Sequence, residues 1–147
     1  MFERILVPVD GSTHSFKALD LAIDLAEKYG AELFVLNVYR HHSQYESSHS
    51  LVRARVPVEP PDNALRDVAK EIVGQAVSHA KAKGIGKVTG LVRRGQPSRT
   101  IVQTAKEKAA DVIVMGNRGL GDVSGFLLGS VSHKVSSLVE CTVITVK

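Results

Sequence analysis

Five short apolar, β-branched runs alternate with four stretches whose apolar residues recur at helical spacing, and this alternation constrains the fold more than any other feature of the chain. The runs are RILVPV (4–9), AELFVLNV (31–38), KVTGLVR (87–93), DVIVM (111–115) and TVITV (142–146). Each is of strand length, and several are nearly continuously apolar, as strands of a parallel sheet buried on both faces are. Phe16, Leu19, Ala22, Ile23 and Ala26 mark a first helix, capped by Ser12 or Thr13 and ended by Gly30. Leu65, Val68, Ala69, Ile72, Val73, Ala76, Val77 and Ala80 form the stripe of a second, capped by Asp62 and ended at Gly84. Ile101, Val102, Ala105 and Ala109 mark a third, which Pro97 opens in its first turn, and residues 130–139 a fourth. The order βαβαβαβαβ predicts an α/β fold, a three-layer, doubly wound, five-stranded parallel sheet with helices on both faces. In such sheets the ligand binds beyond the C-terminal strand ends, where the winding direction reverses. The lateral order of the strands is not written in one sequence; if the first lies beside the fourth, Asp10 and Gly116 flank that crevice.

The length of 147 residues predicts one domain, residues 1–147, large enough to bury a core without staples. Cys141 is the single cysteine, so no intramolecular disulfide can form, and its apolar neighbours predict a core position rather than a nucleophile. The opening residues lack a signal peptide's long apolar segment, and no run approaches the ~18 apolar residues of a membrane helix. A cytoplasmic protein that is not membrane-embedded is expected. Lys and Arg exceed Asp and Glu by 19 to 15, a mild, scattered excess that is ordinary solubility charge first, and suits a small anionic ligand as well as it suits nucleic acid. Aromatics are only 5% of residues and Trp is absent, which weighs against nucleic-acid binding by base stacking. The pattern breaks at residues 39–61, where His41, His42, His49, Arg53 and Arg55 sit among serines and prolines. A connection this long is a functional loop, a natural place for a protein partner to dock. Its histidines match no strong metal-ligand spacing.

Residues 116–130, GNRGLGDVSGFLLGS, carry the chemistry. Glycines let backbone approach phosphate oxygens and adopt positive φ, and successive N–H groups can then form an anion nest. Ser130 would begin a helix whose free N–H groups and dipole favour an anion. There is no Gly-Lys-Ser/Thr of a Walker A loop, and Gly116, Gly119 and Gly121 do not fall at dinucleotide-fingerprint spacing. Instead, Gly116, Gly119, Gly129 and Ser130 fill the spacing G-x2-G-x9-G-[ST], which resembles the ATP-binding signature of universal stress proteins. ILVPVDGS resembles that family's first strand and turn, AADVIVMGNRG its fourth strand, and LLGSVSHKV its last helix. The resemblance covers the whole chain.

This resemblance implies an adenine nucleotide α-hydrolase-like (Rossmann-like) fold and an ATP site. Pro8, Val9 and Asp10 would border the nucleoside, and Val38 would meet adenine through its backbone. Met115, Gly116, Arg118 and Gly119 would lead to the phosphates, and Gly129, Ser130 and Val131 would hold them, with Mg²⁺ or Mn²⁺ bound through the phosphates rather than by protein ligands. It further implies a homodimer through the last strand, 142–146, and a nucleotide-dependent regulator in the stress response, acting through a partner such as a membrane transporter. The chain departs from the family at Asn117, where Ser or Thr is common, and at Thr142, where Pro is usual. The alternative function is a slow ATP-hydrolysing enzyme of the adenine nucleotide α-hydrolase type, although the DGSTHS turn lacks that group's SGGxDS-like loop. No residue stands out as a catalytic base. Asp10 could equally initiate a turn, Arg118 could be a solvated loop charge, His133 a plain surface residue, and Arg93 and Arg94 solvated charge.

Overall fold

A parallel ladder needs each strand to return to the same end of the sheet, and the helical segments between the apolar runs provide those crossovers. The computed structural model describes residues 1–40, 61–118 and 129–147. Over these the chain runs β1 (Arg4–Pro8), α1 (Thr13–Tyr29), β2 (Glu32–Tyr39), α2 (Pro61–Ala82), β3 (Val88–Arg94), α3 (Pro97–Glu107), β4 (Val112–Gly116), α4 (Ser130–Leu138) and β5 (Thr142–Val146). The strands form one five-stranded sheet in the order β3-β2-β1-β4-β5. Every pairing is parallel, with Ile5 opposite Leu33 in β2 and opposite Val112 in β4. The winding therefore reverses between β1 and β4, the adjacency that puts Asp10 and Gly116 at one crevice.

Alternation of side chains along the three inner strands divides the core in two. Ile5, Val7, Leu33, Val35, Val112 and Val114 face α1 and α2, where they meet Leu19, Ala22, Ile23, Val73 and Ala76. Leu6, Phe34, Leu36, Ile113 and Met115 face the other way, toward Ile101 and Ala105 of α3 and Val135 of α4. The small residues of α1 and α2 let both helices lie close over the sheet.

Local chemistry sets the helix ends. Ser12 caps α1, its side chain accepting a hydrogen bond from the Ser15 amide, and Gly30 ends it at φ 66° while Ala31 N–H reaches back to the Ala26 carbonyl at 3.0 Å. Three expectations need correction. Helix α2 begins at Pro61, before the expected cap Asp62, because proline's fixed φ already suits a first turn. Val68 does not join the buried stripe but stays 54% exposed, since Ala69, Val73, Ala76 and Ala80 already cover the contact with the sheet. Helix α3 stops at Glu107, so Ala109 lies outside its apolar side, exposed and in the left-handed region at φ 51°.

Candidate functional site

The crevice begins where β1 ends. Val9 N–H donates to the Leu36 carbonyl at 2.8 Å, and the buried Asn37 side chain donates from Nδ2 to the Val9 carbonyl at 2.7 Å. These two bonds hold the chain beside β2 for one residue beyond β1. Asp10 then turns it: Asp10 Oδ1 accepts from Ser12 N–H at 2.9 Å, as an aspartate that initiates a turn does. Gly11 occupies φ 88°, and a Cβ there would lie 3.3 Å from Ile72 Cδ1 of α2. One carboxylate oxygen of Asp10 is thus engaged in shaping the turn that delivers α1 to the crevice.

On the β4 side, the glycines answer a different need from the one expected. Neither Gly116 nor Gly129 adopts positive φ. Gly116 faces α1, and a Cβ on it would lie 2.9 Å from both the carbonyl carbon and Cβ of His14 and 3.0 Å from the Ser15 nitrogen. The glycine is required by close approach of the first turn of α1, not by an unusual backbone angle. Gly129 is the buried N-cap of α4, with φ −67° and ψ 163°.

The two ends of the glycine-rich segment are tied together. Gly129 N–H donates to the Asn117 carbonyl at 2.7 Å, and Ser132 Oγ donates to the same carbonyl at 3.0 Å. Asn117 N–H in turn donates to the Val146 carbonyl of β5 at 2.6 Å. The start of the segment and the N-terminus of α4 are therefore fixed against each other and against the sheet. Gly129 supplies no capping side chain, and the first turn of α4 holds no acidic residue, so its positive dipole end is not neutralised from within the helix. The same lack of an acidic residue holds for the first turn of α1. Two helix N-termini thus meet the switch point with no carboxylate in either first turn.

Most of the expected site residues converge here. Val38, Met115 and Val131 share the core cluster on the α3/α4 side, at the C-terminal edge of the sheet. Val9 is 2% exposed and packs on the opposite side, while Pro8 ends β1 between them. Ser130 is the exposed first residue of α4, and Arg118 is half-buried beside Asn117. Gly119 lies outside the described residues, as do His41, His42, His49, Arg53 and Arg55. His133 is exposed at the surface. Arg93 is not plain solvated charge: its Nη1 donates to Thr104 Oγ1 at 3.1 Å and to Glu107 Oε2 at 2.7 Å, joining β3 to α3. Cys141 packs partly buried against the α3/α4 core, and burial, then the nearby Asp111 carboxylate, push its thiol pKa up against the lowering effect of a backbone hydrogen bond.

Sequence reasoning missed His14, Asn37 and Ser132, and it read Asn117 only as a departure. All four lie at the site, yet no local pattern marks them: Asn37 and Ser132 bond backbone groups far away in the chain, the backbone of Asn117 joins Gly129 to Val146, and His14 meets Gly116 only through the packing of α1.

Fold and site define an α/β protein whose doubly wound parallel sheet carries Gly116 and the glycine-capped α4 at its switch point. Comparison narrows the class further: the universal stress protein family model matches residues 1–147, and the chain belongs to that family. It is 40% identical over 150 residues to the universal stress protein YxiE of Bacillus subtilis (strain 168), covering 100% of both chains. Among solved structures it is similar to a universal stress protein in complex with cAMP, with 27% identity, a TM-score of 0.74, and coverage of 99% of this chain and 97% of that one. It is also similar to the universal stress protein from Archaeoglobus fulgidus in complex with dAMP, with 26% identity, a TM-score of 0.67, and coverage of 99% and 98%.

Proposed function

We propose that residues 1–147 form one universal stress protein domain that binds ATP at the β1/β4 switch point and acts as a nucleotide-dependent regulator in the stress response. The observation that carries this reading is the closure at Asn117 and Gly129, which sets a helix N-terminus with no acidic residue in its own first turn beside Gly116, at the point where doubly wound sheets take ligands. Relatives solved with cAMP and with dAMP support an adenine nucleotide as the ligand class.

In this reading, Val38 meets adenine through its backbone, Pro8, Val9 and Asp10 border the nucleoside, and Met115 stands at the entry to the phosphates. Gly116, Arg118 and Gly119 lead to the phosphates, which Gly129, Ser130 and Val131 hold through backbone N–H groups and the Ser130 hydroxyl. Mg²⁺ or Mn²⁺ is carried on the phosphates. The protein acts in the cytoplasm. Among the described residues no helix is long and apolar enough to cross a membrane. A transporter partner would dock at residues 39–61. Strand β5 lies at the sheet edge with partly exposed apolar residues, and its pairing with a second copy would give a two-fold dimer.

Titration calorimetry with ATP and Mg²⁺ tests the site. The native protein binds, and Gly129→Asp, which puts a carboxylate against phosphate, does not. Equal affinity in the two proteins would move the phosphates elsewhere, and no binding by the native protein would end the reading.

A further inference from the structure

Two buried polar atoms beside Gly116 lack a hydrogen-bond partner among the described residues: His14 Nδ1 and Asn117 Oδ1. Asn117 is only 5% exposed, and both of its backbone groups are already engaged, the amide with Val146 and the carbonyl with Gly129 and Ser132. His14 lies in the first turn of α1, its backbone and Cβ pressed against Gly116. Buried polar groups are nearly always bonded, and one left alone costs stability. Two such atoms on either side of one glycine are not explained by packing. An apolar residue at either position would have avoided the cost.

We infer that His14 and Asn117 are ligand-contacting residues that recognise the phosphate oxygens of the bound nucleotide. The inference rests on the switch-point reading above and deepens it. His14 can carry its ring proton on Nδ1 and donate to an anionic oxygen. The carboxamide of Asn117 can present Nδ2 in place of Oδ1 by a half-turn, since the two ends are nearly isosteric. Both are then donors, each buried before the ligand arrives. Donors already taken from water are strong ones, because their desolvation is not charged to binding. Gly116 lets the first turn of α1 bring His14 up against the end of β4, beside Asn117.

The arrangement predicts opposite signs for stability and affinity, which a purely structural role would not produce. His14→Phe removes the unpartnered nitrogen and keeps a planar ring, so the free protein melts about 2–5 °C higher. The same variant binds ATP about 10- to 100-fold more weakly, the range for losing one charge-assisted hydrogen bond. Its affinity for adenosine, followed by NMR titration, stays within about twofold, because adenosine has no phosphate. His14→Gln keeps a donor and recovers part of the ATP affinity. Asn117→Leu reproduces the two signs. Unchanged ATP affinity in His14→Phe or Asn117→Leu overturns the role of that residue while native ATP binding leaves the switch-point reading intact. A lower melting temperature, or an adenosine affinity that falls with that for ATP, assigns the residue to the fold and overturns the inference. A native protein that binds no adenine nucleotide overturns both.

Discussion

Replacing Gly116 with alanine separates packing from ligand approach at the crevice. The added methyl meets the backbone carbon and Cβ of His14 at 2.9 Å and the backbone nitrogen of Ser15 at 3.0 Å, whereas ordinary contact begins near 3.4 Å. No rotamer change relieves this, because two of the three atoms are main chain. The first turn of α1 must retreat by roughly 0.5 Å, in an interior dense enough that such a shift is felt by neighbours. That turn is held by the Asp10 and Ser12 bonds and by Ile72 against Gly11, so it cannot move alone. Overpacking of this kind costs about 1–3 kcal/mol, and the stiffer unfolded chain of an alanine variant returns about 0.4–1 kcal/mol. The net loss is about 1–2 kcal/mol, or about 3–8 °C in melting temperature for a chain of this size. Urea denaturation of native and Gly116→Ala proteins checks it, and the midpoint should fall with no change in slope. An unchanged or higher midpoint would refute the argument that close approach of α1 dictates this glycine. Loss of ATP binding at undiminished stability would show that the glycine serves the ligand alone.

Other perturbations test neighbouring features. Asn37→Leu removes the donor to the buried Val9 carbonyl and should cost about 1–3 kcal/mol by chemical denaturation, with the β1 end the first to gain amide exchange. Ala109→Gly relieves a left-handed residue at φ 51°, whose strain of about 1–2 kcal/mol exceeds the entropy cost of glycine, so a gain of about 0.5 kcal/mol is expected in the same assay. Burial raises the Cys141 pKa, so maleimide labelling at neutral pH should run slower than with a free thiol and quicken only in alkaline solution. Because this acid's pKa is higher in the folded chain than in the unfolded one, its contribution to stability is complete below the ordinary thiol range and is lost as pH rises through the raised value.

The division between what was legible and what was not follows range. Periods of two and 3.6 residues are local, so the elements of the described residues could be placed from Arg4 to Val146 with ends shifted by a residue or two. Ser12, Gly30 and Pro97 could be read as helix punctuation because capping acts within one turn. The alternation of strand and helix also determined that the sheet would be parallel and covered on both faces, since short runs with helical crossovers leave little else. Val68 and Ala109 were misplaced because periodicity says which residues share a stripe but not how far the partner surface extends.

Tertiary structure decided the rest. Only the pairing of Ile5 with Val112 places β1 beside β4 and turns Asp10 and Gly116 into two walls of one crevice. Only the approach of α1 shows that Gly116 is a matter of room rather than of backbone angle. The roles of Asn37, Asn117 and Ser132 arise from hydrogen bonds to backbone groups, which carry no side-chain identity and so leave no imprint on sequence pattern. A pattern of residue types records what each side chain needs nearby, whereas the site is made by main-chain groups brought together from the ends of different strands.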